Sequence, residues 1–70
     1  MEILAEKLLE LRKARKLSRQ TVADAIQISA KSYERYENGE REPAAPVLVA
    51  LADFYQVTLD ELFGRSDKRA

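Results

Sequence analysis

In the stretch SAKSYERYENGEREP, residues 29–43, Lys31 and Arg35 stand four apart, the spacing that puts two cations on one face of an α-helix. Such a face can meet a polyanion: a guanidinium grips a phosphate or a guanine edge as a planar fork, and an ammonium acts as a point charge. Glu34, Glu37, Glu40 and Glu42 crowd the same stretch, so a solvated, salt-bridged helix end is the competing reading. Other chemistries are poorly supplied. With no Cys and no His, the chain lacks disulfides, thiolate or imidazole metal sites and the usual nucleophile–base pairs. The acid pairs Glu40/Glu42 and Asp60/Glu61 read as loop and helix-start charges. No catalytic residue, metal, cofactor or small-molecule substrate is expected, and the chain is not expected to be an enzyme.

The elements that must position Lys31 and Arg35 are legible on either side of them. Leu4, Leu8, Leu11 and Leu17 continue a helical stripe, with Glu6, Lys7, Glu10, Arg12 and Lys13 on the other faces, and predict a first helix running to about Lys16. Ser18 caps a second helix of about eight residues carrying Val22, Ala23 and Ile26. Ser29 caps a third, with Tyr33 and Tyr36 on its inner face and Asn38-Gly39 at its end. Pro46 suits the first turn of a fourth helix bearing Val47, Leu48, Leu51, Ala52 and Tyr55. Thr58-Leu59-Asp60-Glu61 is a capping box for a fifth, closed by Gly64. The expected fold is all-α: a compact bundle of five short helices, with connections of two to six residues and no strand. A domain over 1–64 is followed by a tail, 65–70, that carries no large apolar side chain and should fray.

Between Arg19 and Tyr36 two short helices flank a turn of three or four residues, the arrangement of a helix-turn-helix. A small residue at Ala23 would let the second helix cross closely over the first, leaving the third to project its opposite face outward.

Composition limits the rest. Seventy residues make one domain, which buries only roughly 60% of its unfolded surface, so the core must be local. Apolar residues are 46% of the chain and charged residues 34%, a globular and not a disordered balance. The net charge is zero. Residues 1–18 carry five basic and three acidic groups, and the excess turns acidic further on, so any basic footprint must come from where the cations sit. The longest apolar run, Val47 to Ala52, is far short of a membrane span, and Met1 to Lys16 mixes acids and bases where a secretion signal needs an apolar stretch. A soluble, cytoplasmic protein without membrane contact is expected.

The segments LLELRKARKLSRQTVADAI, SYERYENGEREP and LVALADFYQVTLDELF resemble the phage repressor and Cro type of helix-turn-helix regulators, the XRE-like family, over about residues 4–63. The chain departs from the family pattern in four places. Arg19 stands where Gln is usual, Gln27 where the turn has Gly, and Ala30 where Gln or Arg is common, while Glu40 and Glu42 replace the lysines of the following loop.

The resemblance implies a sequence-specific DNA-binding transcriptional regulator, a repressor type whose third helix enters the major groove of double-stranded DNA. A homodimer would place two such helices about 34 Å apart on a roughly palindromic operator. On that template Lys31 and Arg35 contact base edges, and Ser29, Ser32, Arg19, Gln20 and Arg41 contact phosphate or the nearby backbone. Ala30 touches a thymine methyl, and Glu37 pairs with Arg12 to tie the reading helix to the first helix. Val49, Phe54, Leu59 and Phe63 give the fourth and fifth helices more apolar surface than one small core requires, and in the resembled family that corner forms the two-fold contact. Two other readings keep the scaffold and change the role. One is a protein-interaction module with weak DNA affinity, consistent with zero net charge and the acidic loop; the other is the DNA-binding antitoxin or controller half of a two-component system.

Overall fold

The computed structural model describes residues 2–64. Over that span the chain forms five α-helices and no strand: α1 (Glu2–Ala14), α2 (Arg19–Ala25), α3 (Ala30–Glu37), α4 (Ala45–Tyr55) and α5 (Leu59–Leu62). The tail expected to fray, 65–70, lies outside the described residues.

The helix starts follow the capping chemistry in the sequence. The Ser18 hydroxyl accepts the Thr21 N–H, and that of Ser29 accepts the Ser32 N–H. At α5 the capping box closes in both directions: Thr58 Oγ1 accepts from the Glu61 N–H at 3.0 Å, and the Glu61 carboxylate accepts from the Thr58 N–H at 2.8 Å. Of α2 to α5, whose caps are described, only α4 begins without a side-chain cap, relying on the proline in its first turn.

The helix ends share one device. In α1 through α4 the backbone turns left-handed just past the helix, at Lys16 (φ 57°), Gln27 (63°), Gly39 (75°) and Gln56 (58°). The next residue's N–H then donates back to an otherwise orphaned carbonyl: Leu17 to Arg12 (3.1 Å), Ile28 to Ala23 (2.9 Å), Glu40 to Arg35 (2.9 Å) and Val57 to Ala52 (3.0 Å). Glycine occupies that left-handed position once. At the other three ends, a non-glycine residue accepts a strain of about 1 kcal/mol, and the apolar side chain that follows, Leu17, Ile28 or Val57, packs against the core. Burial of that residue holds the turn where glycine does not.

Two expectations about α1 and α2 need correction. α1 ends at Ala14, not near Lys16, so Leu17 reaches the core from the connection and not as the last residue of the helical stripe. Ala23 is fully buried, but α2 packs most extensively on α3, and so does α1. α3 is therefore the common neighbour of both. The α3–α4 connection, 38–44, is also longer than the six residues expected.

The core is built of Leu4, Leu8, Val22, Ala23, Tyr33, Leu51, Tyr55 and Leu62, each almost wholly buried. Inside it the Tyr33 and Tyr55 hydroxyls lie 2.7 Å apart and hydrogen-bond each other, joining α3 to α4. Two buried hydroxyls are tolerable because each satisfies the other. Burial pushes both phenols above their ordinary titration range; at Tyr33 the bond to Tyr55 adds to the shift. No helix among the described residues is long and apolar enough to cross a membrane.

Candidate nucleic-acid interface

α3 has two faces set by its own periodicity. Tyr33, Tyr36 and Glu37 are buried on one, while Lys31 and Arg35 stand exposed on the other, flanked by the half-buried Ala30 and Glu34. The carboxylates that crowd the sequence do not all crowd this face. Glu37 turns inward, and Lys31, Glu34 and Arg35 enter no ion pair among the described residues. Two uncommitted cations and one carboxylate thus project from a short, well-capped helix.

Glu37 fastens that helix to the rest of the domain. Its side chain is 1% exposed, and a carboxylate so buried must be paired. Arg12 supplies the pair: its Nε donates to Oε2 at 2.6 Å and its Nη2 to Oε1 at 3.2 Å, while Nη1 donates to the Leu17 carbonyl at 2.8 Å. All three guanidinium nitrogens are therefore committed, binding the end of α3 to α1 and to the turn that leads into α2. The hydrogen bond to Glu37 holds the Arg12 pKa above its ordinary value against the opposing effect of burial.

The remaining residues expected at the interface fall in different settings. Arg19 opens α2 and donates through Nε to Glu37 Oε1 at 3.2 Å, with its side chain 45% exposed. Gln20 is exposed and donates to Asp24 Oδ1 at 2.7 Å. Ser29 and Ser32 bond each other at the start of α3. Arg41 is exposed in the 38–44 connection, with Glu40 and Glu42 exposed beside it. The structure thus brings Arg12, Arg19 and Glu37 into one cluster and places Lys31 and Arg35 on the face of α3 turned away from it.

Sequence reasoning missed Arg15. Its Nη2 donates to the Tyr55 carbonyl at 2.8 Å, and its guanidinium lies 5.3 Å from the Tyr55 ring centroid. A cation there satisfies an open carbonyl and complements the negative end of α4. The two residues are 40 apart in sequence, and no local pattern marks the contact.

On α4 and α5, Val49 and Leu59 are exposed, 48% and 41%, while Phe54 and Phe63 are half-buried and pack against the core. Phe54 meets the Tyr55 ring edge-on. Ile3, which was not among the residues expected in an apolar face, is 57% exposed. No cluster of acidic residues among the described residues is arranged to hold a metal ion.

Comparison with known proteins agrees with this fold. The description of the helix-turn-helix family matches residues 8–62. The HTH-type transcriptional regulator AnsR of Bacillus subtilis is 41% identical over 64 residues, covering 91% of this chain and 55% of its own length. The cryptic phage CTXphi transcriptional repressor RstR of Vibrio cholerae is 42% identical over 62 residues, covering 89% and 55%. The crystal structure of a transcriptional regulator from Listeria innocua superposes with a TM-score of 0.84 at 27% identity, over 96% of this chain and 63% of that one. The chain thus spans a little over half the length of these curated relatives. It belongs to the helix-turn-helix family of XRE-like transcriptional regulators.

Proposed function

We propose that this chain is the DNA-binding part of a transcriptional regulator, a repressor type, and that α3 enters the major groove of double-stranded DNA. The observation that carries this is the division of α3: a buried face locked through Tyr33, Tyr36 and Glu37, and an opposite face from which Lys31 and Arg35 project without intramolecular partners among the described residues. Arg35 reads a guanine through its two-pronged edge, and Lys31 contacts a neighbouring acceptor. Arg19, Gln20, Ser29, Ser32 and Arg41 meet the phosphate backbone, and Ala30 meets a thymine methyl. Names of the relatives support the regulatory role; the work is binding, with no reaction and no cofactor, in the cytoplasm.

The protein acts as a homodimer on a roughly palindromic operator, joined through Val49, Phe54, Leu59 and Phe63 of α4 and α5. The exposure of Val49 and Leu59, together with the partly exposed Phe54 and Phe63 on the same two helices, supports this.

A protein-interaction module on the same scaffold is favoured by one observation, the zero net charge with exposed Glu40 and Glu42 beside Arg41. An antitoxin or controller role would leave the DNA-facing chemistry unchanged and add a partner. Selection of bound sequences from a random duplex pool separates these readings. A DNA-binding regulator enriches a motif with two-fold symmetry, and an interaction module enriches none.

A further inference from the structure

Glu37 has two oxygens and three donors on them. Arg12 takes both oxygens and is itself fully committed, whereas Arg19 places only its Nε on Oε1. The cluster of one carboxylate and two guanidiniums carries a net positive charge, and the surplus falls on Arg19, the one of the three with substantial exposure. Its position makes the surplus costly for the free protein. Arg19 is the first residue of α2, at the positive end of the helix, and the first turn of α2 contains no acidic residue. A cation there repels the helix end, and Glu37 is already neutralised by Arg12. The terminal nitrogens Nη1 and Nη2 have no intramolecular partner among the described residues.

We propose that Glu37 is a positioning residue for DNA binding: it holds Arg19 by Nε so that the Nη1/Nη2 edge stands preset as a fork for one phosphodiester. This rests on the reading that the chain binds DNA and deepens it, since Arg19 becomes an oriented donor pair and not a loose surface charge. A guanidinium can do both jobs at once because its five N–H groups point along separate edges. A lysine presents its three N–H donors from one nitrogen, so it serves Glu37 and a phosphate together only where both lie within hydrogen-bond reach of that single point, and it offers no separate planar edge to the phosphate. Holding Arg19 in advance also removes the side-chain ordering that a free arginine would undergo on binding. The same carboxylate that fixes α3 to α1 thereby fixes the backbone contact in register with Lys31 and Arg35.

The test is titration of wild type, Arg19→Ala and Arg19→Lys with a scrambled duplex at several salt concentrations, alongside thermal melts. These substitutions are at exposed or half-exposed side chains, so the variants should fold. Arg19→Ala is expected to bind roughly tenfold more weakly at low salt and to lower the slope of log affinity against log salt by about one. Arg19→Lys is expected to fall closer to Arg19→Ala than to wild type while melting within a few degrees of both. Equal affinity for wild type and Arg19→Lys would make Arg19 an untethered charge and overturn the proposal. Unchanged affinity and slope in Arg19→Ala would make Arg19 a structural partner of Glu37 only, overturning it as well. Wild type that binds no duplex at any salt would instead overturn the DNA-binding reading beneath it, a distinct result.

Discussion

Replacing Glu37 by alanine removes the acceptor for three guanidinium nitrogens, and the consequence follows from how each arginine is placed. Arg12, 13% exposed, keeps its Nη1 bond to the Leu17 carbonyl but loses the partners of Nε and Nη2. Removing one member of a buried ion pair typically costs about 3–5 kcal/mol, because the other charge is left uncompensated. Some water reaches Arg12, so about 2–4 kcal/mol is expected here. Arg19, half in solvent, adds little, as exposed pairs contribute about 0–1 kcal/mol. A domain of this length has a total stability of about 4–10 kcal/mol, so Glu37→Ala should remove a large share of it. At about 4–8 °C per kcal/mol, the melting temperature should fall by about 10–25 °C. The Lys7–Glu10 pair, 3.9 Å apart with both side chains substantially exposed, provides the comparison: Lys7→Ala should shift stability by no more than about 0.5 kcal/mol. Substituting methionine at both Arg12 and Glu37 should recover much of the loss, since two apolar side chains replace a pair whose burial was itself expensive. Denaturant titration followed by helical circular dichroism measures all four proteins. If Glu37→Ala melts within the range of Lys7→Ala, the buried clamp does not exist as described.

Three further outcomes follow from other parts of the molecule. Gln27→Gly should stabilise the domain by up to about 1 kcal/mol in the same assay, because φ is 63° there and glycine relieves the strain, though glycine's freedom in the unfolded chain offsets part of the gain. Both Tyr33 and Tyr55 have raised pKa values in the fold, so stability should be fully present below the unfolded tyrosine value of about 10 and fall above it, by up to about 1.4 kcal/mol per pH unit for each phenol; Tyr33→Phe should make the alkaline decline shallower, and an equal slope would count against the buried pair. Val49→Glu and Leu59→Glu should abolish self-association in sedimentation without lowering the melting temperature of the dilute protein, since both side chains are exposed in the single chain; a wild type that sediments only as monomer at high concentration would remove the proposed contact.

What the sequence showed of the fold was local chemistry. Ser18, Ser29 and Thr58 announce helix starts because a hydroxyl acceptor is needed where the first N–H groups lack partners, and all three serve there. Asn38-Gly39 announces the end of α3 for the matching reason. The end of α1 was less legible because Lys16, no ordinary left-handed residue, turns the chain there, and the decisive factor is burial of Leu17 after it. Gln56 repeats that case. At the candidate site, the Arg12–Glu37 pair came with the family resemblance, and the outward cations came from helical spacing. The attachment of Arg19 to Glu37 and of Arg15 to Tyr55 had no such signal: long side chains bridge residues 18 and 40 positions apart, and only the packing of whole helices decides which ends meet. The preference of α2 for α3 over α1 escaped for the same reason, since an alanine permits close approach without saying to what.

Arg35→Ala separates reading of base edges by the exposed cations of α3 from plain attraction to the backbone. Wild type and Arg35→Ala are titrated at two salt concentrations on a duplex selected from a random pool and on its scrambled counterpart. If Arg35 reads a base, the variant loses about 1–3 kcal/mol on the selected duplex, much less on the scrambled one, and relaxes preference at a single base position. Equal losses on both duplexes would reduce Arg35 to a phosphate contact, and an Arg35→Ala variant that binds the selected duplex as wild type does would contradict the claim that this face of α3 reads DNA.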